Sequence, residues 1–91
     1  MLKIQRSANG RVVFRLSGRI EAEDIKQLQQ LFNSEAPGKE LVLNLKDVTL
    51  VNQDAITFLV RSEADGIKLE DCPPYIRHWI EQARGHGRRQ Q

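Results

Sequence analysis

Asn9-Gly10 is the feature that most restricts what this chain can become. Both residues tolerate positive φ, which the tight turns of β-hairpins demand. Residues 2–7 alternate loosely before it, with Leu2 and Ile4 apolar and Lys3 and Gln5 polar. After it, Arg11 to Leu16 reads RVVFRL, rich in β-branched and aromatic residues. The two stretches predict an N-terminal β-hairpin, with Ser17-Gly18 breaking its second strand.

Helical spacing takes over next. Ile25, Leu28, Leu31 and Phe32 form one apolar stripe across residues 22–34, and Pro37-Gly38 ends it. Leu41 to Leu45 (LVLNL) is short and apolar between charged flanks, so it reads as a central strand covered on both faces. A second helix follows Asn52, carries Ile56, Leu59 and Val60, and stops before Gly66. Ile67 to Leu69 reads as a short strand. Pro73 and Pro74 then open a third helix with Ile76, Trp79, Ile80 and Ala83 on one face, since proline suits a first helical turn. The order β-β-α-β-α-β-α predicts an α/β fold, a mixed sheet of about four strands with three helices packed on it. Its core should hold Phe14, Leu16, Leu28, Leu31, Leu43, Leu45, Ile56, Leu59, Ile76 and Ile80.

The chain has 91 residues, enough for one modest core and too few for two. No apolar run approaches the roughly 20 residues of a membrane span, and the N-terminus lacks the apolar stretch of a signal peptide. Cys72 is the only cysteine, so no intrachain disulfide forms and a reducing cytoplasm is the simplest location. The net charge of +2 belongs to the end of the chain, where Arg84, Arg88 and Arg89 meet no acid. The expected organisation is one domain over residues 1–84 and a basic, disordered tail over 85–91. Three arginines make a small electrostatic footprint, so no specific nucleic-acid partner is expected.

Signs of catalysis are weak. His78 sits between apolar positions with no ligand partner nearby, and Cys72 reads as a small buried hydrophobe. There is no phosphate-cradling glycine loop and no nucleophile elbow. Glu21, Glu23 and Asp24 favour the positive end of a helix, which suffices to explain them. No enzyme, metal or cofactor is expected. One segment stands out, Thr49 to Ile56, where a strand gives way to a helix. Asn52 is a good N-cap, and Asp54 adds favourable charge near the helix start. The carboxyl ends of strands are where α/β proteins gather binding sites, so capping and binding both remain open for these residues.

Leu16-Ser17-Gly18-Arg19-Ile20-Glu21-Ala22 resembles the L-x-G-x-[ILV]-[DE] signature of STAS domains, the family of bacterial anti-sigma factor antagonists and of regulatory tails on sulfate transporters. Leu41 to Val51 resembles that family's central strand and following turn, and the likeness covers about residues 3–83. The family's final strand and helix are missing or reduced. The family then opens its second helix with Asp-Ser-Ser-Gly-Leu, whereas this chain has Asn52-Gln53-Asp54-Ala55-Ile56. Asp54 takes the place of the serine that a partner kinase phosphorylates. The resemblance therefore implies a non-enzymatic bacterial protein-binding module without that phosphoswitch. Its binding face would comprise the Val48–Asp54 turn, with Val48, Thr49, Asn52, Gln53 and Asp54, and the exposed side of the next helix, with Thr57 and Arg61. The implied partner is another protein, an anti-sigma factor of kinase type or a transporter component, and a homodimer stays open. The alternative is a STAS subunit of a membrane transport or ligand-sensing assembly.

Overall fold

The computed structural model describes residues 2–35 and 38–89, with side chains as far as Arg84. Strands β1 (Leu2–Ala8) and β2 (Val12–Ile20) form the hairpin. Ala8 pairs with Val12, so the turn is Asn9, Gly10 and Arg11, with Gly10 at φ +86°. There follow α1 (Ala22–Ser34), β3 (Leu41–Val51), α2 (Gln53–Ala64), β4 (Lys68–Glu70) and α3 (Pro74–Arg89). The sheet order is β1-β2-β3-β4, antiparallel at β1–β2 and parallel elsewhere. This is the expected mixed sheet, with β2 and β3 inside.

Several expectations need correction. Ser17-Gly18 does not end the second strand, which continues to Ile20. Gly18 stays in the ladder at φ +101°. Facing it, β3 bulges twice, with Leu45 and Lys46 opposite Leu16, and Thr49 slipped between the partners of Gly18 and Arg19. The extra residues let a twisted strand continue past the glycine instead of stopping. The strand expected at Leu41–Leu45 likewise runs to Val51. Nor is that strand covered on both faces. Leu28, Leu59, Ile76 and Ile80, drawn from all three helices, share one core with Phe14, Leu16, Leu43 and Leu45. The helices therefore lie on one side of the sheet. The other side carries Arg15 bonded to Asp47 (2.8 Å) and Asn44 bonded to Asp71 (3.0 Å), with Val42 buried outside the main cluster. Asn44 within LVLNL is the residue that faces water.

Trp79, placed by its spacing on one helix face with Ile76 and Ile80, does not share their burial and is 54% exposed. Leu31 is only half-buried at the margin of the core, while the other nine expected core residues are buried. Helix α1 ends at Ser34, where the Glu35 amide donates to the Phe32 carbonyl. Pro37, expected to stop it, lies outside the described residues. At its start, the Glu21 amide donates to the Asp24 carboxylate (2.9 Å), which satisfies one otherwise free donor. The backbone of α3 runs as helix through Arg89, into the segment expected to be a disordered tail.

Candidate functional site

The end of β3 and the start of α2 form a continuous crest. Val48 to Val51 are strand, not turn, and the helix begins one residue later. Asn52 caps it, since its Oδ1 accepts from the Ala55 amide at 2.8 Å. That bond satisfies one of the free amides of the first turn. Gln53 and Asp54 follow in the first turn, both exposed. Thr57 is a turn further on and donates its hydroxyl to the Gln53 carbonyl (3.1 Å). Arg61 is exposed in the last turn of α2.

Of the residues proposed from sequence, Thr49, Asn52, Gln53, Asp54, Thr57 and Arg61 are exposed. Val48 is not. It is 4% exposed and belongs to the core, so its side chain is out of a partner's reach. The exposed six divide between two places. Thr49, Asn52 and Gln53 lie on the crest. Asp54, Thr57 and Arg61 form one wall of a groove between α1 and α2. The opposite wall includes Ile25, Lys26 and Phe32 of α1. At its base, Phe32 and Phe58 stack with ring centroids 5.9 Å apart and planes 9° from parallel.

Sequence reasoning missed three residues beside the crest. Leu50, Tyr75 and Trp79 are the large apolar side chains most exposed among the described residues. The Tyr75 hydroxyl donates to the carbonyls of Thr49 (2.9 Å) and Val48 (3.3 Å), fixing the first turn of α3 against the end of β3. These carbonyls adjoin the bulge at Thr49. Trp79 lies one turn along α3 from Tyr75, with the His78 ring edge-on to it at 6.1 Å. The available signal was the four-residue spacing of Tyr75 and Trp79, which puts both on one side of a helix.

His78 is exposed, and no cluster of metal-ligating side chains occurs among the described residues. Cys72 is half-buried. Burial pushes its thiol up; nearby Arg77 acts the other way and Glu63 adds to the rise. A thiol so protonated is a poor nucleophile. No helix among the described residues is long and apolar enough to cross a membrane.

No protein-family model and no curated protein matches the sequence. Among solved structures, the chain is similar to an uncharacterized protein of the DUF3478 family from Shewanella loihica PV-4 that has a SpoIIAA-like fold. The TM-score is 0.53 at 15% sequence identity, over 75% of this chain. This chain spans 65% of that protein's length. At such identity the likeness speaks to fold alone, and it agrees with the mixed sheet and three helices derived above. The chain has a SpoIIAA-like fold, the fold of STAS domains and anti-sigma factor antagonists.

Proposed function

We propose that this chain is a non-enzymatic protein-binding module of the anti-sigma factor antagonist kind, acting in the bacterial cytoplasm without a phosphoserine switch. One observation carries the reading: Leu50 at the end of β3 and Tyr75, bonded to that end, lie exposed, and Trp79 is exposed one turn further along α3. Exposed tyrosine and tryptophan are the residues that most often dominate protein–protein binding energy. Tyr75 is also held by two carbonyls, so little of its freedom remains to be lost on docking. Polar Thr49, Asn52 and Gln53 on the crest would supply the rim. The partner would be another protein, an anti-sigma factor of kinase type.

Asp54 would make the binding constitutive. Aspartate has no hydroxyl to phosphorylate, and a carboxylate supplies one charge where phosphate supplies about 1.5–2. The test is calorimetric titration against a partner recovered by pull-down. Trp79→Ala should weaken binding by about 2 kcal/mol or more, the range of an interface hot spot. Unchanged affinity in both Trp79→Ala and Asp54→Lys would remove this face from consideration. Phosphate found on Thr49 or Thr57 in native protein would show a switch at a shifted position. The groove between α1 and α2 favours a second reading, a STAS subunit of a ligand-sensing or membrane transport assembly.

A further inference from the structure

The groove between α1 and α2 has two properties that seldom coincide at a helix–helix junction. Its base is apolar, built from Ile25 and Phe32 of α1, Phe58 of α2, and Ile67. Its walls each carry one cation that makes no ion pair among the described residues, Lys26 on α1 and Arg61 on α2. Five other arginines, Arg6, Arg11, Arg15, Arg77 and Arg84, hold carboxylates, while Arg19 and Arg61 make no ion pair among the described residues. Arg61 makes none although Asp65 lies four residues on along the same helix. The order cation-then-acid is the weaker orientation for such a pair.

The size fits a small molecule. The groove encloses about 930 Å³, against roughly 300–1,000 Å³ for small-molecule sites. Ile25 and Phe32 are seven residues apart, about 10 Å along the helix, which matches an extended chain of about eight carbons at the bond lengths of hydrocarbon. The charges select the head group. Asp54 and Asp65 line the groove along with the two cations. A dianion such as phosphate would meet repulsion from both carboxylates, whereas a single carboxylate can take the guanidinium in a two-pronged bond. The Thr57 and Ser62 hydroxyls already donate to the Gln53 and Phe58 carbonyls, so neither needs a ligand acceptor.

We propose that this groove binds a small amphipathic monocarboxylate, with its hydrocarbon body on Ile25, Phe32, Phe58 and Ile67 and its carboxylate between Lys26 and Arg61. The site is independent of the protein-binding reading and can be tested on the chain alone. Octanoate is the probe, added to the full chain while amide shifts are followed by nuclear magnetic resonance. Saturable shifts at Lys26, Phe32, Phe58 and Arg61, with a dissociation constant of about 1 mM or tighter, are expected for ten non-hydrogen atoms. Arg61→Glu and Lys26→Glu should each weaken binding about tenfold, and their spectra report directly that the fold persists. Octanol should bind more weakly than octanoate, and inorganic phosphate should produce no saturable shift in the groove. Equal affinity for octanol and octanoate would overturn the assignment of the cations. Absence of saturable shifts, or shifts centred on Tyr75 and Trp79, would overturn the site.

Discussion

Helix α2 has two unlike flanks. Towards α3 it is closed. Ile76 and Ile80 are fully buried there, and Glu63 of α2 holds both Arg77 (3.4 Å) and Arg84. Towards α1 it is open, with the Phe32–Phe58 stack at the base and the groove above it. The same helix packs more closely on α3 than on α1. Ion pairing and the closer helix contact are concentrated on one flank, while the other holds the fold through the apolar base of the groove alone. A fold stabilised asymmetrically can leave polar and charged groups of one helix face unpaired without unfolding.

The largest expected effects test the closed flank and the core beneath it. Ile80→Ala and Leu43→Ala should each cost about 2–5 kcal/mol in urea unfolding, the usual range for buried aliphatic residues. A loss within about 0.5 kcal/mol for either would mean that the position is not part of a packed core. Asp54→Lys should cost about 1 kcal/mol, because it puts a cation at the positive end of α2, while Asp54→Ser should leave the fold intact. Glu63→Gln should cost roughly 0.2–1 kcal/mol, as expected for pairs that water still reaches. Arg61→Gln, on the open flank, should stay within about 0.5 kcal/mol of the parent. Equal losses for Glu63→Gln and Arg61→Gln would erase the contrast between the flanks.

The smallest effect appears only with pH. Arg6 bonds Glu35 through two nitrogens, each at 2.9 Å, and so ties the end of α1 to β1. Those hydrogen bonds, helped by the guanidinium charge, hold the Glu35 carboxyl below its ordinary value, although burial pushes the other way. A carboxyl depressed on folding stabilises the native state above its unfolded pKa. The contribution is lost as pH falls through the native value. Amide exchange at the end of α1 should therefore rise before that of α3 as pH falls through and below the ordinary glutamate range. Glu35→Gln should remove that difference. A Glu35→Gln chain whose α1 exchange keeps the parent pH profile would show that this pair does not anchor α1.

Much of the fold was legible because local signals agreed with one another. Asn9-Gly10 placed the hairpin, and Asn52 and Gly66 bracketed α2. The failures have separate physical causes. Gly18 resembles a strand breaker, yet positive φ is what a bulged ladder uses, and only pairing with β3 reveals it. LVLNL looked wholly buried because four of its five residues are apolar. Asn44 was the residue to follow, since alternate side chains of a strand face opposite ways. Trp79 is three residues from Ile76 and one from Ile80, at the margin of the helix's apolar stripe. Side chains at such margins are placed by the neighbouring strand, not by their own periodicity. The candidate surface was half legible: its crest could be read from the strand-to-helix transition, but the groove needs residues of two helices, 21 or more apart in the chain, to be seen together.

β4 pairs only with Val42 to Asn44, yet β3 continues seven residues beyond. That length of strand has no described neighbour on the β4 side, and such an unpaired edge invites another chain to extend the sheet. The bulge at Thr49 disrupts the regular hydrogen-bond spacing, and the Tyr75 hydroxyl already donates to the Thr49 and Val48 carbonyls there. Tyr75 thus covers part of a strand end as well as presenting a surface aromatic, and covering an edge is one of the ways proteins discourage strand-to-strand growth.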